Sequence, residues 1–297
     1  MSKRSHLALA LACSAAVLCG CGGSAESAAQ PAPTASAAVK DKRHQFESAK
    51  ADCMKQKGFT YVPYVRPTEA PTEDERKRDS GDYQAMLKYR EKYGFGVFAV
   101  HVYPKEIAGP GSEIPIADPN AKVQTSLSPA QLDAYHKAKD TCVATAGKQV
   151  LGLDLKSNID YYNHMAQAHK RAKANELDGD ARLVELAGAT ATCLKGKGYR
   201  VSDLKPTAIA RRGENEFTER QSAIGREQSP EMRGGQKMTE DTRQLVMPTL
   251  TPQQARPHLA KEIKAALDDL ECGKDFYAAY APKAAELQRR VNDQYAF

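Results

Sequence analysis

The residues best suited to covalent chemistry in this chain are four well-separated cysteines, Cys53, Cys142, Cys193 and Cys272. In an exported protein an even set of distant cysteines predicts disulfides. No Cys-x-x-Cys pair occurs among the four, so neither a zinc ribbon nor a thioredoxin-like redox site is supported. His164 and His169 are five apart and fall on different faces of a helix, and no His-Glu-x-x-His motif is present; no metal site is expected. Gly-x-Ser-x-Gly, Gly-Lys-Ser and Gly-x-Gly-x-x-Gly signatures are missing, and Gly94-Phe95-Gly96 reads as a tight turn, so no cofactor is expected either.

Two further groups of side chains offer weaker chemistry. Tyr61, Tyr64, Tyr89, Tyr93, Phe95, Phe98 and Tyr103 surround His101 in sequence, and of these Tyr93, Phe95, His101 and Tyr103 are the candidate ligand contacts. Tyrosines beside a glycine turn stack against sugar rings or a peptide at low entropic cost. The same rings also supply large core residues to a chain that has no tryptophan. Carboxylates gather at Glu69, Glu73, Asp74 and Glu75, and again at Asp268, Asp269 and Glu271. Glycan hydrolysis needs two carboxylates held roughly 5 to 9 Å apart. Nothing in the sequence brings these groups together, and the expectation is a solvated charged face.

Behind these residues stands a chain of 297 residues with a formal net charge of +6. Lys3 and Arg4 precede an apolar run from Leu7 to Leu18, the pattern of a secretory signal. The run is too short for a permanent span, which needs about 20 apolar residues. Leu18-Cys19-Gly20-Cys21 resembles a bacterial lipobox, with Cys21 as the lipidated residue, so residues 1–20 are expected to be removed. Two or more acyl chains, a palmitate among them, hold a protein firmly on a bilayer. Gly22 to Val39 is Gly, Ser, Ala, Pro, Gln and Thr with a single charge at Glu26, and residues 21–40 read as a lipidated, flexible tether. Cleavage removes Lys3 and Arg4 and no acid, so the charge falls from +6 to +4, too weak to predict nucleic acid as a partner.

An internal correspondence orders the cysteines. Cys53-Met54-Lys55-Gln56-Lys57-Gly58-Phe59 matches Cys193-Leu194-Lys195-Gly196-Lys197-Gly198-Tyr199, each following a helical pattern. Gly58 and Gly198 sit where a helix ends in the left-handed conformation, and the lysines suit the negative end of the dipole. Leu127-Ser128-Pro129 matches Leu250-Thr251-Pro252, a cap followed by proline at the first helical position. Each then leads into a helix carrying a cysteine. The duplication favours Cys53–Cys142 and Cys193–Cys272; the other symmetrical choice, Cys53–Cys193 with Cys142–Cys272, would join the two units.

Between these landmarks, Asp82 to Lys92 and Leu155 to Glu176 read as helices. Thr60 to Val65, Arg200 to Leu204 and above all Phe95 to Tyr103 read as strands. Pro206 to Pro248 reads mostly as loop, with one helix around Glu214 to Ile224. Pro257 to Asp293 has helical spacing, with a kink or split expected at Pro282. The predicted class is mainly α with short β segments (α+β). Two pseudo-repeated units, 41–155 and 156–297, each run helix, glycine stop, short strand, loop, helix, stapled by a disulfide.

The motifs together resemble a group of uncharacterised actinobacterial lipoproteins with paired Cys-x-x-x-x-Gly-aromatic repeats. The matching pieces are the lipobox at Cys21, Cys53-Met54 with Gly58-Phe59-Thr60-Tyr61, Lys92-Tyr93-Gly94-Phe95-Gly96-Val97, Asp118-Pro119-Asn120 leading to Leu127-Ser128-Pro129, Ala191-Thr192-Cys193-Leu194 with Gly198-Tyr199, and Ala266 to Cys272. Thr192 departs from the group, where an aromatic residue often stands, as does the lack of tryptophan. The resemblance implies a location on the outer face of the cytoplasmic membrane, held by the N-terminal lipid, and assigns no reaction. The expected role is a non-catalytic binding protein for an envelope polymer or a partner protein. The alternative is a cell-wall-acting hydrolase with a site that no motif reveals.

Overall fold

The computed structural model describes residues 35–67, 70–108, 118–229 and 245–297. The signal segment, Cys21, residues 22–34 and Glu69 lie outside the described residues. The chain forms α1 (Ala35–Gln56), α2 (Glu73–Asp79), α3 (Tyr83–Tyr93), the short turns α4 (Ala99–Val102) and α5 (Pro104–Ala108), α6 (Pro119–Thr125) and α7 (Pro129–Ala146). A π turn, Gly147–Leu151, extends α7. There follow α8 (Asn158–Glu176), α9 (Ala181–Gly196), α10 (Pro206–Gln228), α11 (Pro252–Cys272) and α12 (Lys274–Gln294).

Helix boundaries follow local chemistry closely. Ser128 and Thr251 each accept from the amide three residues on, while the Gln131 and Gln254 side chains return the bond to the cap. Asp82, Ser157 and Asp180 cap α3, α8 and α9 in the same way with single bonds. The two glycine stops have matching geometry. Gly58 and Gly198 have φ of 81° and 86°, and the Phe59 and Tyr199 amides donate to Met54 O at 3.0 Å and Leu194 O at 2.9 Å. That is the six-residue closure that satisfies a helix's last carbonyls.

Disulfides join α1 to α7 through Cys53–Cys142 and α9 to α11 through Cys193–Cys272, with Cα separations of 5.4 and 5.5 Å. Met54, Tyr135, Ala138 and Cys142 form the small core around the first bridge. Phe46, Val143, Leu177, Leu183, Leu287 and Val291 form a larger core among α1, α7, α8, α9 and α12. Ala187, Ala191, Ile209, Leu270 and Phe276 close the packing of α9, α10, α11 and α12, with Met86 of α3 against them. Among the described residues no helix is long and apolar enough to cross a membrane.

Several expectations need correction. No strand occurs among the described residues: 60–65 and 200–204 run without a ladder partner. Residues 95–103, apolar enough for a strand, make a tight turn and then α4, because Phe98 and Ala99 are buried against Phe217, Leu259 and Ala265. Pro206 to Gln228 is one long helix whose inner face carries Ile209, Gly213, Phe217, Gln221 and Gly225. Glycine and glutamine on that face hide its apolar period; a Cβ on Gly213 would fall 2.0 Å from the Phe95 ring. Of the segment 206–248, residues 230–244 lie outside the described residues. The C-terminal helical stretch breaks at Gly273, and α12 continues through Pro282, its flanking turns anchored by Phe276, Tyr277, Leu287 and Val291. Residues 35–40, read as tether, already belong to α1, as the high helix propensity of Ala35, Ala37 and Ala38 allows.

Candidate functional site

α11 carries two fully buried carboxylates seven residues apart on one face, Glu262 and Asp269. Glu262 is consumed by the turn that follows α3. Its Oε1 accepts from the Phe95 and Val97 amides, each at 2.8 Å, and its Oε2 from the Phe98 amide at 2.8 Å. Burial raises the carboxyl above its ordinary range, and the backbone donors pull it back. The turn can wrap the acid so closely only through Gly94, at φ 62°. A Cβ there would stand 2.8 Å from Glu262 Cγ.

Asp269 fixes the next layer. It accepts from Arg90 Nη1 at 2.8 Å and from the Tyr277 hydroxyl at 2.5 Å, with Arg212 Nη2 at 3.6 Å from its other oxygen. Arg90 also donates to Ala266 O, and its guanidinium lies 4.5 Å from the Tyr277 ring centroid. Burial, then the Asp269 charge, holds the Tyr277 phenol well above its ordinary range. Asp269 was expected on a solvated face; it sits in the core because its position falls on the apolar stripe of Leu259, Ala266 and Leu270.

Above this floor opens a cleft of about 380 Å³ between α2, α3, α10 and α12. Tyr89, Phe95, Tyr277 and Tyr280 supply aromatic walls, and Arg78, Arg211, Asp79 and Glu214 supply charge. Arg211 is paired with Glu214 at 2.8 Å. Arg78 stacks 4.4 Å from the Tyr89 centroid and makes no ion pair among the described residues. Burial, with Asp178 nearby, pushes the Tyr280 phenol up to about 12, and burial raises the Asp79 carboxyl against the pull of Arg78. Among the described residues no serine, cysteine or histidine lines the cleft. Its chemistry is that of recognition: rings for stacking and a guanidinium whose charge is unspent.

Only Phe95 of the four expected contacts reaches this cleft. Tyr93 and Tyr103 meet edge to face at 5.7 Å on another surface, where Glu106 accepts from Lys92 at 2.6 Å and Tyr93 at 2.5 Å. His101 Nε2 lies 3.1 Å from Gln221 Nε2, which also donates to Val97 O. The amide donates, so the imidazole accepts through Nε2, and burial lowers its pKa. Gly94–Gly96 flanks are the link between these places, not a shared pocket. Tyr89 belongs to the aromatic group named from sequence, whereas Arg78, Arg90, Tyr277 and Tyr280 were missed because they come from three helices, with α12 far along the chain from α2 and α3. A charged residue on an apolar stripe, as at Glu262 and Asp269, was the one available signal.

The remaining described carboxylates of the two sequence clusters are held by cations or a cap, Glu271 sharing Lys197 with Asp268. Glu73 pairs with Lys77, Asp74 with Lys88, and Glu75 completes the cap on Thr72. Asp268 accepts from Lys264 at 2.7 Å, Tyr199 at 2.6 Å and Lys197 at 2.9 Å, and these bonds, Lys264's first, hold its carboxyl well below the usual range. The unfolded carboxyl titrates near pH 3.9, so this contribution is full above that value and is lost as pH falls through the native one. Asp268→Asn is expected to cost about 1 kcal/mol at pH 7, discounted for solvent around the lysines. The gap to the parent closes in acid, as urea midpoints measured across pH would show. Among the described residues no cluster of three or more metal-ligating side chains occurs. No family model, curated protein or solved structure matches the chain.

Proposed function

We propose that this protein is a lipid-anchored binding protein of the cell envelope, processed at Cys21 and held on the outer face of the cytoplasmic membrane. Its two disulfides support an oxidising location, since such bonds do not persist in a reduced cytosol. The likeness to actinobacterial lipoproteins rests on the motifs quoted above. The matching glycine stops, capping boxes and disulfide-joined helix pairs support a duplicated origin for 41–155 and 156–297.

The observation that carries the binding role is the cleft. Its buried ionisable groups are locked in fixed pairs, while Arg78 over Tyr89 is left to meet a partner. The ligand class that fits is a saccharide bearing a carboxylate or phosphate: C–H faces stack on tyrosine, and the anion pairs with the guanidinium. Arg78 and Tyr89 are half-buried and belong to none of the apolar cores, so their replacement leaves those cores intact. Arg78→Ala and Tyr89→Ala are each expected to weaken retention on protein-free cell-wall polymer about tenfold, roughly 1.4 kcal/mol. Retention unchanged in both variants would remove the cleft from the account.

A further inference from the structure

A second pocket, of about 550 Å³, shares no lining residue with the cleft and lies between α1, residues 64–66, α8 and the segment after α12. That volume is within the roughly 300 to 1,000 Å³ of small-molecule sites. Its apolar wall is a run of rings. Phe46 stacks on Tyr161 at 5.6 Å, Tyr162 meets Tyr161 at 5.2 Å, and Phe297 meets Tyr162 at 6.4 Å. At the rim the apolar surface continues into solvent, with Phe297 49% and Tyr162 47% exposed. Exposed rings grouped at a pocket mouth are unusual for a folded chain without a partner for them.

The polar wall is cationic. Arg43, Lys50 and Arg66 line it together with one acidic side chain, Glu47, among the described residues. Glu47 is already spent, on Lys50 at 2.6 Å and on the Tyr61 hydroxyl at 2.8 Å. Arg43 and Arg66 make no ion pair among the described residues. Arg43 Nε and the Tyr64 hydroxyl are buried and lack a hydrogen-bond partner among the described residues. Donors left in that condition cost free energy, and a bound anion or water is the usual explanation.

We propose that this pocket binds an amphiphilic anion, with an apolar body among Phe46, Tyr161, Tyr162 and Phe297 and a phosphate or carboxylate head at Arg43 and Arg66. The site is independent of the cleft beside Tyr89. It takes one molecule, which arrives either as a free amphiphile or as a lipid drawn from a bilayer surface.

The test is photolabelling of the whole chain, disulfides intact, with dodecyl phosphate carrying a diazirine in its chain. Adducts are expected on residues 43–50, 158–162 and 297. Unlabelled dodecyl phosphate and dodecanoate should displace the probe, while dodecyltrimethylammonium should compete about tenfold less well. Competition by phosphatidylglycerol vesicles at equal lipid assigns the bilayer as source; competition by the monomer alone assigns the free amphiphile, and either supports the site. The double change Arg43→Glu, Arg66→Glu, and separately Tyr162→Asp, should lower labelling at these peptides about tenfold, with Arg43→Lys within about twofold of the parent. Tyr162 is exposed, so Tyr162→Asp keeps the fold and reads the site independently of the half-buried Arg43. Labelling confined to other peptides, undiminished by the charge reversal, or displaced equally by the ammonium would overturn the proposal.

Discussion

Reduction of the two disulfides is expected to lower the free energy of unfolding by about 4.5 kcal/mol for each bridge, the chain-entropy value for loops of 79 and 89 residues. A domain's whole margin is about 5 to 15 kcal/mol, so the doubly reduced chain stands near its folding threshold. The two bridges should also yield in order. Cys142 is fully buried between Met54 and Tyr135, whereas Cys193 is exposed on α9. Thiolate attack needs access, so under native conditions Cys193–Cys272, exposed at Cys193, is expected to open before Cys53–Cys142, whose more accessible end, Cys53, is half-buried. Timed alkylation with peptide mapping reads the order, and urea unfolding of the alkylated chain reads the loss. Simultaneous opening, or an unchanged midpoint after full reduction, would contradict this.

The next largest effect belongs to Glu262. Glu262→Ala removes the acceptor for three amides in a buried turn and leaves a void where the carboxylate stood. Each orphaned amide costs about 1 to 3 kcal/mol, and with partial entry of water the expected total is about 4 kcal/mol. The damage should be local as well as global. Hydrogen exchange at Phe95, Val97 and Phe98 should accelerate, and Phe95, no longer held beside Gly213, should leave the cleft with a loss of ligand binding. Glu262→Gln keeps one acceptor and should recover part of the stability. A cost below about 1 kcal/mol for Glu262→Ala would mean that the turn is held by packing alone.

These two sites mark how far the sequence was readable. Gly58 and Gly198, the caps at Ser128 and Thr251, and the pairing of the cysteines were legible because helix ends are decided within a few residues. Phe95 to Tyr103 was misread for the opposite reason. Its β-branched and aromatic residues favour a strand locally, but Glu262, some 165 residues later, takes its amides, and Phe98 packs under Phe217. α10 was hidden by Gly213 and Gln221, which occupy inner positions because Phe95 needs space and Val97 O needs a donor. The cleft itself joins α2, α3, α10 and α12, a juxtaposition that exists only after α3 has docked on α11. Local signals carry element ends; sites assembled from distant helices require the packing.

Export and maturation at the cell surface underlie the envelope role, and the intact mass of the native protein tests them directly. The expected mass is that of a chain beginning at Cys21 with a diacylglyceryl group attached and no alkylatable thiol among Cys53, Cys142, Cys193 and Cys272; Cys21→Ser should abolish the lipid and release the protein from membranes. A native product that keeps residues 1–20, carries no lipid and shows four free thiols would contradict it.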